Sequence, residues 1–219
     1  AFGLAKSSVS VYRGHLGVGT TEPKAALTVM DEVGELEEFP PRAMTADETY
    51  MEGHGVFKAS ASSEYITNSE YLYAWKAFDY INTAGDSRWA TRITSAYNGS
   101  VPSQYTAGAF STNGYLGEWI QLEVPYRIKL DYIKVNPGTS IGREPESGYI
   151  FGSDDGMTWT LISNFTGKTY KAREWTDIYV GATTAYTHIR MVVSKVDNGT
   201  MVDIGQLRLF GTREQGAST

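Results

Sequence analysis

From Trp119 to Val124 the chain alternates strictly: Ile120, Leu122 and Val124 share one face, while Gln121 and Glu123 take the other. That period of two predicts a half-buried strand. Pro125-Tyr126-Arg127 turns the chain into Ile128 to Val135, which alternates at first and slips phase at Tyr132-Ile133, the pattern of a β-bulge. Tyr149-Ile150-Phe151 and Met157 to Ile162 flank Gly152-Ser153-Asp154-Asp155-Gly156, and an Asp-Gly between two apolar runs predicts a hairpin. Trp175 to Val180 and Thr187 to Val193 alternate again, with Ile189, Met191 and Val193 inward and His188 and Arg190 outward. Phe57 to Ser63 reads as extended and Ile204 to Phe210 as the last strand, whereas only Glu70 to Phe78 carries a weak helical period. Seven or eight strands with no amphipathic helix between them predict an all-β fold, an antiparallel β-sandwich of jelly-roll type.

The first stretch is different. Ala1 to Val29 offers Val9 to Tyr12, Leu16 to Val18 and Ala26 to Val29, short runs split by Gly and Pro. Such strands cannot bury a face by themselves, so this N-terminal β segment is expected to pair with the main domain or with identical neighbours, an oligomerisation role. The acidic Asp31 to Glu38, stopped by Pro40-Pro41, reads as a linker or short helical connector. The predicted organisation is therefore 1–38 attachment segment and linker, 39–213 sandwich, and 214–219 tail.

Composition narrows the function. The 15 Tyr and 23 Gly suit pleated surfaces and tight turns, and with no Cys there is neither a disulfide framework nor a thiolate metal site. A formal charge of −6 argues against a nucleic-acid partner, which needs clustered Lys and Arg. No apolar run reaches membrane-spanning length, so no membrane insertion is expected, and the first residues do not read as a signal peptide. A chain opening on Ala1 suggests a fragment or processed product. His15, His54 and His188 are scattered, and no carboxylates stand out as an acid/base pair, so the chain is read as no enzyme. Asn98-Gly99-Ser100, Asn164-Phe165-Thr166 and Asn198-Gly199-Thr200 are glycosylation sequons of a kind that arises by chance in an Asn-, Ser- and Thr-rich chain.

Four motifs in order carry a resemblance. Ala77-Phe78-Asp79 with Asp86-Ser87-Arg88-Trp89, Gly117 to Leu122, Gly152 to Trp159, and Ile204 to Gly211 resemble the coagulation factor five/eight type C, or discoidin-like, domain over about residues 40–212. That resemblance implies an eight-stranded jelly-roll sandwich whose end loops bind glycans, lipid head groups or proteins. Leu16 to Val29 is similar to Gly-hydrophobic-Gly-Thr repeats of phage and large-DNA-virus fibre shafts, which are trimeric, and Pro40 to Thr45 resembles discoidin-like heads of giant viruses. Together these imply the head of a virion fibre or spike, a homotrimer on the virion surface beside other virion proteins. Its task would be host attachment through a cell-surface glycan or glycoprotein. Two rivals stay open: a structural minor capsid or spike protein without a ligand, and the secreted carbohydrate-binding module of an enzyme.

No cofactor is required on this reading, but the resemblance implies a candidate calcium site at Asp79, Asp86 and Gln206, carboxylate and amide oxygens being what that hard ion takes. Gln206 stands where relatives carry Glu, and the competing reading makes Asp79 a turn cap. Trp89, Trp119 and Trp159 occupy motif positions assigned to the sandwich core, which leaves Trp75 and Trp175 free to stack on a sugar. The loops 79–97, 105–115 and 139–147 bring Arg88, Arg92, Tyr97, Tyr105, Tyr115 and Arg143 to the expected ligand-binding end, although sandwich loops are polar in any case.

Overall fold

The computed structural model describes residues 9–12, 15–18, 27–29, 35–81, 87–92, 95–139 and 141–214. The chain divides into two compact units, Ala1–Leu36 with Gln215–Thr219, and Glu37–Glu214. In the first unit β1 (Val9–Tyr12) runs antiparallel to β2 (His15–Val18), and β2 runs parallel to β3 (Leu27–Val29). These short strands pair with one another, a partner that the sequence reading did not weigh.

The second unit opens with β4 (Glu37–Phe39), β5 (Glu48–Met51), β6 (Gly55–Ala61), β7 (Tyr65–Ile66) and β8 (Tyr71–Leu72). A 3-10 helix, η1 (Ala74–Phe78), follows, and among the described residues there is no α-helix. Next come β9 (Trp89–Ala90), β10 (Ser103–Gln104), β11 (Ser111–Thr112), β12 (Tyr115–Leu116) and β13 (Glu118–Asn136). The remaining strands are β14 (Pro145–Ser153), β15 (Thr160–Phe165), β16 (Thr176–Tyr179), β17 (Tyr186–Val196), β18 (Asp203–Ile204) and β19 (Gln206–Arg213). Glu70 to Phe78, read as weakly helical, divides between β8 and η1. Glu37 and Glu38, read as linker, belong to β4, because they pair with Phe210 and Gly211 of β19.

All pairings in this unit are antiparallel, and β13 organises them. Its first half lies between β17 and β6, with Ile120 opposite Met191 and Ala61. Its second half lies between β19 and β16, with Ile133 opposite Leu209 and Ile178. The ladder to β17 breaks between Glu123 and Ile128, around Pro125, which has no N–H to donate. One strand thus passes from a sheet ordered β15-β14-β17-β13-β6-β5 into a second ordered β16-β13-β19-β4. The expected bulge is present: the register with β19 shifts between Leu130 and Tyr132, and the Asp131 carbonyl there accepts Val180 and Gly181 N–H.

The two inner faces close one core. Ile120, Leu122, Ile189 and Met191 from the first sheet meet Ile133, Leu207 and Leu209 from the second, all buried. This is the antiparallel jelly-roll sandwich the alternation predicts. Trp89 is fully buried in that core, as expected. Trp119 and Trp159 are not: they lie on the outer face of the first sheet with Tyr115, Tyr149, Phe151 and Val192. Their rings sandwich Arg190, whose guanidinium carbon is 3.8 Å from each ring centre. Arg190 and His188 do point outward, but Arg190 is buried there and His188 only slightly exposed, since this face carries a second, smaller core.

Candidate functional site

At one end of the sandwich three short connections surround a polar cleft of about 230 Å³. The β7–β8 hairpin contributes Tyr65 and Glu70, the β9–β18 pair brings Arg88 beside Asp203, and the loop after β13 brings Arg143. Asp203 sits opposite Ala90 in the ladder, so its side chain meets the residue that precedes β9. Arg88 Nε donates to Asp203 Oδ2 at 3.1 Å, and its NH2 lies 3.7 Å from Glu70 Oε1. Asp203 Oδ1 is buried and has no hydrogen-bond partner among the described residues. Burial pushes the Asp203 carboxyl up, against the opposing pull of Arg88 and Arg143.

The Arg143 loop is tied down by two backbone donors from outside it and by one hydrogen bond of its own. Asp203 N–H donates to the Arg143 carbonyl at 3.0 Å, Asn198 N–H donates to the Gly142 carbonyl at 2.8 Å, and Gly142 N–H donates to Glu144 Oε2 at 2.7 Å. Glu144 is itself buried, and burial pushes its carboxyl up to about 7 despite these backbone donors. The result is an exposed Arg143 on a rigid loop, facing a buried carboxylate with an unused acceptor.

Of the residues read from sequence as ligand-binding, this cleft gathers Arg88 and Arg143. Tyr97 and Tyr105 are core residues instead. Tyr97 is 2% exposed and donates its hydroxyl to the Val193 carbonyl, and its ring meets Tyr105 edge to face at 5.3 Å. Tyr115 packs on Tyr149 and Phe151 in the outer-face cluster. Trp75 is half-buried against the main core, and Trp175 stacks under Arg208 on the second sheet. Arg92 is exposed beyond β9 and does not line the cleft.

The candidate calcium residues meet, but in another role. Asp86 lies outside the described residues. Gln206 is 1% exposed, and its amide Nε2 donates to Asp79 Oδ1 at 2.7 Å, Lys76 O at 3.0 Å and Ile81 O at 3.1 Å. Its Oε1 accepts Tyr80 N–H at 2.9 Å, while Asp79 also accepts Ile81 N–H and the Ser87 hydroxyl. Asp79 therefore does cap a turn. Among the described residues the arrangement does not fit calcium, because the point on which the oxygens converge holds an amide nitrogen.

No protein-family model matches this chain, and no curated protein matches it. Solved structures do. The C-terminal domain of a chitobiase from Bacteroides fragilis aligns with a TM-score of 0.53 at 22% identity, over 77% of this chain and 100% of that one. The CBM32-1 and CBM32-2 domains of ZmpB from Clostridium perfringens align with a TM-score of 0.53 at 13% identity, over 74% of this chain and 35% of theirs. A CBM32 module from the same organism, in complex with GalNAc-β-1,3-galactose, aligns with a TM-score of 0.50 at 17% identity, over 70% and 94%. The fold is that of family 32 carbohydrate-binding modules. The family 32 neighbours are non-catalytic carbohydrate-binding domains.

Sequence reading missed Tyr65, Glu70 and Asp203. Asp203 had a signal, a lone carboxylate inside Met201-Val202-Asp203-Ile204, where an acid costs energy unless paired. Tyr65 and Glu70 had none, since a two-residue strand is too short to show a period.

Proposed function

We propose that the Glu37–Glu214 unit is a glycan-binding module that takes a sugar in the cleft between Arg88, Arg143, Glu70 and Asp203. The observation that carries this is the polar cleft itself, in which Arg88 is anchored on Asp203 and Glu70 beside the exposed Arg143. The Glu70 carboxylate supplies an acceptor for a sugar hydroxyl, and Arg143 and Tyr65 supply a donor and a ring face at the rim. Two positive and two negative side chains balance at the cleft, which suits a neutral sugar. The names of two fold neighbours support the class, one bound to GalNAc-β-1,3-galactose and another to GalNAc.

The first test is calorimetric titration of the intact chain with galactose and GalNAc, followed by a glycan array. Arg143→Ala leaves the fold intact, being exposed, and is expected to weaken binding about tenfold; Asp203→Asn is expected to weaken it about tenfold or more. Binding that survives both changes moves the site elsewhere, and no binding to any sugar leaves the ligand-free structural reading.

We further place this module on a virion fibre or spike, where it attaches the particle to a host-surface glycan as a homotrimer joined through residues 1–36. The support is the likeness of Leu16 to Val29 to fibre-shaft repeats. A carbohydrate-binding module of a secreted enzyme accounts for the fold neighbours equally well. Light scattering separates them: a trimeric full chain and a monomeric version starting at Glu37 favour the fibre, and two monomers favour the enzyme module.

A further inference from the structure

We propose that the Gln206 side-chain amide replaces a divalent cation behind the turn that follows η1, ordering this turn without metal, and that the single change Gln206→Glu converts the locus into a calcium site. Two backbone carbonyls, Lys76 O and Ile81 O, and the carboxylate oxygen Asp79 Oδ1 converge on one point, all within 3.1 Å of Gln206 Nε2. Three oxygens repel one another unless positive charge sits between them, and such a mixed set is the kind a hard cation demands. Here the positive charge is an NH2 group with two protons for three acceptors. Its orientation is not arbitrary. Exchanging the amide's oxygen and nitrogen would turn an oxygen toward all three acceptors and a nitrogen toward the Tyr80 N–H, so the network allows one arrangement.

The amide is fixed from behind as well. Gln206 opens β19 and pairs in register with Asn136 at the end of β13, so it reaches the turn from a rigid element. The Ser87 hydroxyl donates to the free oxygen of Asp79, which carries the restraint across to Arg88 and β9. The knot therefore holds the turn, and through Ser87 the residue next to Arg88, without a metal. Replacing NH2 with an oxygen sets two carboxylates and two carbonyls around the same point. That arrangement requires a proton on one carboxylate or a cation between them, and calcium supplies the second.

The test is thermal unfolding of the intact chain and of Gln206→Glu in EDTA and in millimolar calcium chloride, with terbium luminescence as a direct readout of binding. The wild-type midpoint is expected to be the same in both buffers, with no saturable terbium signal. Gln206→Glu is expected to lose about 5 °C in EDTA, to regain it in calcium and to bind terbium. Gln206→Met, which keeps the volume and removes the donors, is expected to fall about as far and to gain nothing from calcium. A wild-type chain stabilised by calcium, with the effect abolished by Asp79→Asn, overturns the proposal. So does a Gln206→Glu protein equally stable in EDTA, or a Gln206→Met protein as stable as wild type. If Gln206→Glu does not fold, the wild-type and Gln206→Met results still decide. No arm of the experiment involves sugar, so its outcome is separate from that of glycan binding.

Discussion

Arg190 sits flat between two indole rings, its Nε and NH2 donating to Gln121 Oε1 and its NH1 to Thr112 Oγ1, with no carboxylate paired to it among the described residues. Burial brings its guanidinium down to about 10, so it remains a cation at neutral pH. Shape as much as charge is used here, since only a planar fork can lie between the rings and reach both oxygens. Arg190→Lys is therefore expected to cost about 2 kcal/mol or more, and Arg190→Met, which buries no ammonium, is expected to cost less. Urea unfolding of the two variants orders them. Glu144 poses the opposite case, a carboxylate held in a dry place. Its folded-state value, about 7, lies above the ordinary 4.5, so the folded chain holds the proton more tightly than the unfolded chain. Stability is then lost as pH rises from about 4.5 to 7, by at most ~3 kcal/mol from this group. Glu144→Gln is expected to flatten that slope in urea midpoints measured across the range. At this scale the sequence reading was least complete. Trp119 alternates with Ile120 just as a surface residue would, and nothing in the pattern announces that an arginine on the neighbouring strand β17 will cover it.

Elements were read far better, for a physical reason. A strand buried on one face writes its period into the sequence, so β13, β17 and the hairpin of β14 and β15 are visible, and the phase slip at Tyr132 marks the bulge directly. Strands of two or three residues carry too few positions to show a period. That is why β4 passed for linker and β8 for the start of a helix. Close backbone approach is equally silent in a pattern. Gly148 lies in β14 where a Cβ would stand 2.1 Å from the Val192 carbonyl oxygen and 2.8 Å from the Phe165 ring. The Val192 carbonyl cannot retreat without breaking the β14–β17 ladder. Gly148→Ala is expected to cost about 3 kcal/mol, at the upper end of overpacking penalties, read as a lowered urea midpoint with an unchanged slope.

For the whole molecule, the cleft was half legible. Arg88 and Arg143 sit in loops that a sandwich brings to one end, whereas Asp203 enters from a strand, and only the fold makes the three neighbours. A cleft this small and polar predicts weak binding of a single sugar. If residues 1–36 trimerise the chain, immobilised glycan should retain the full chain 10²-fold or more longer than a version starting at Glu37, with the same affinity for free sugar; surface plasmon resonance compares the two.

The passage of β13 through both sheets has a kinetic consequence. A sandwich whose layers are held by separate strands can open like a book, one leaf melting before the other. Here neither leaf can leave without taking half of the same strand, so the two layers are expected to open together rather than one at a time. Native-state hydrogen exchange should find the amides of Ile120 and Ile133, in different sheets, exchanging with one common free energy and one common denaturant dependence.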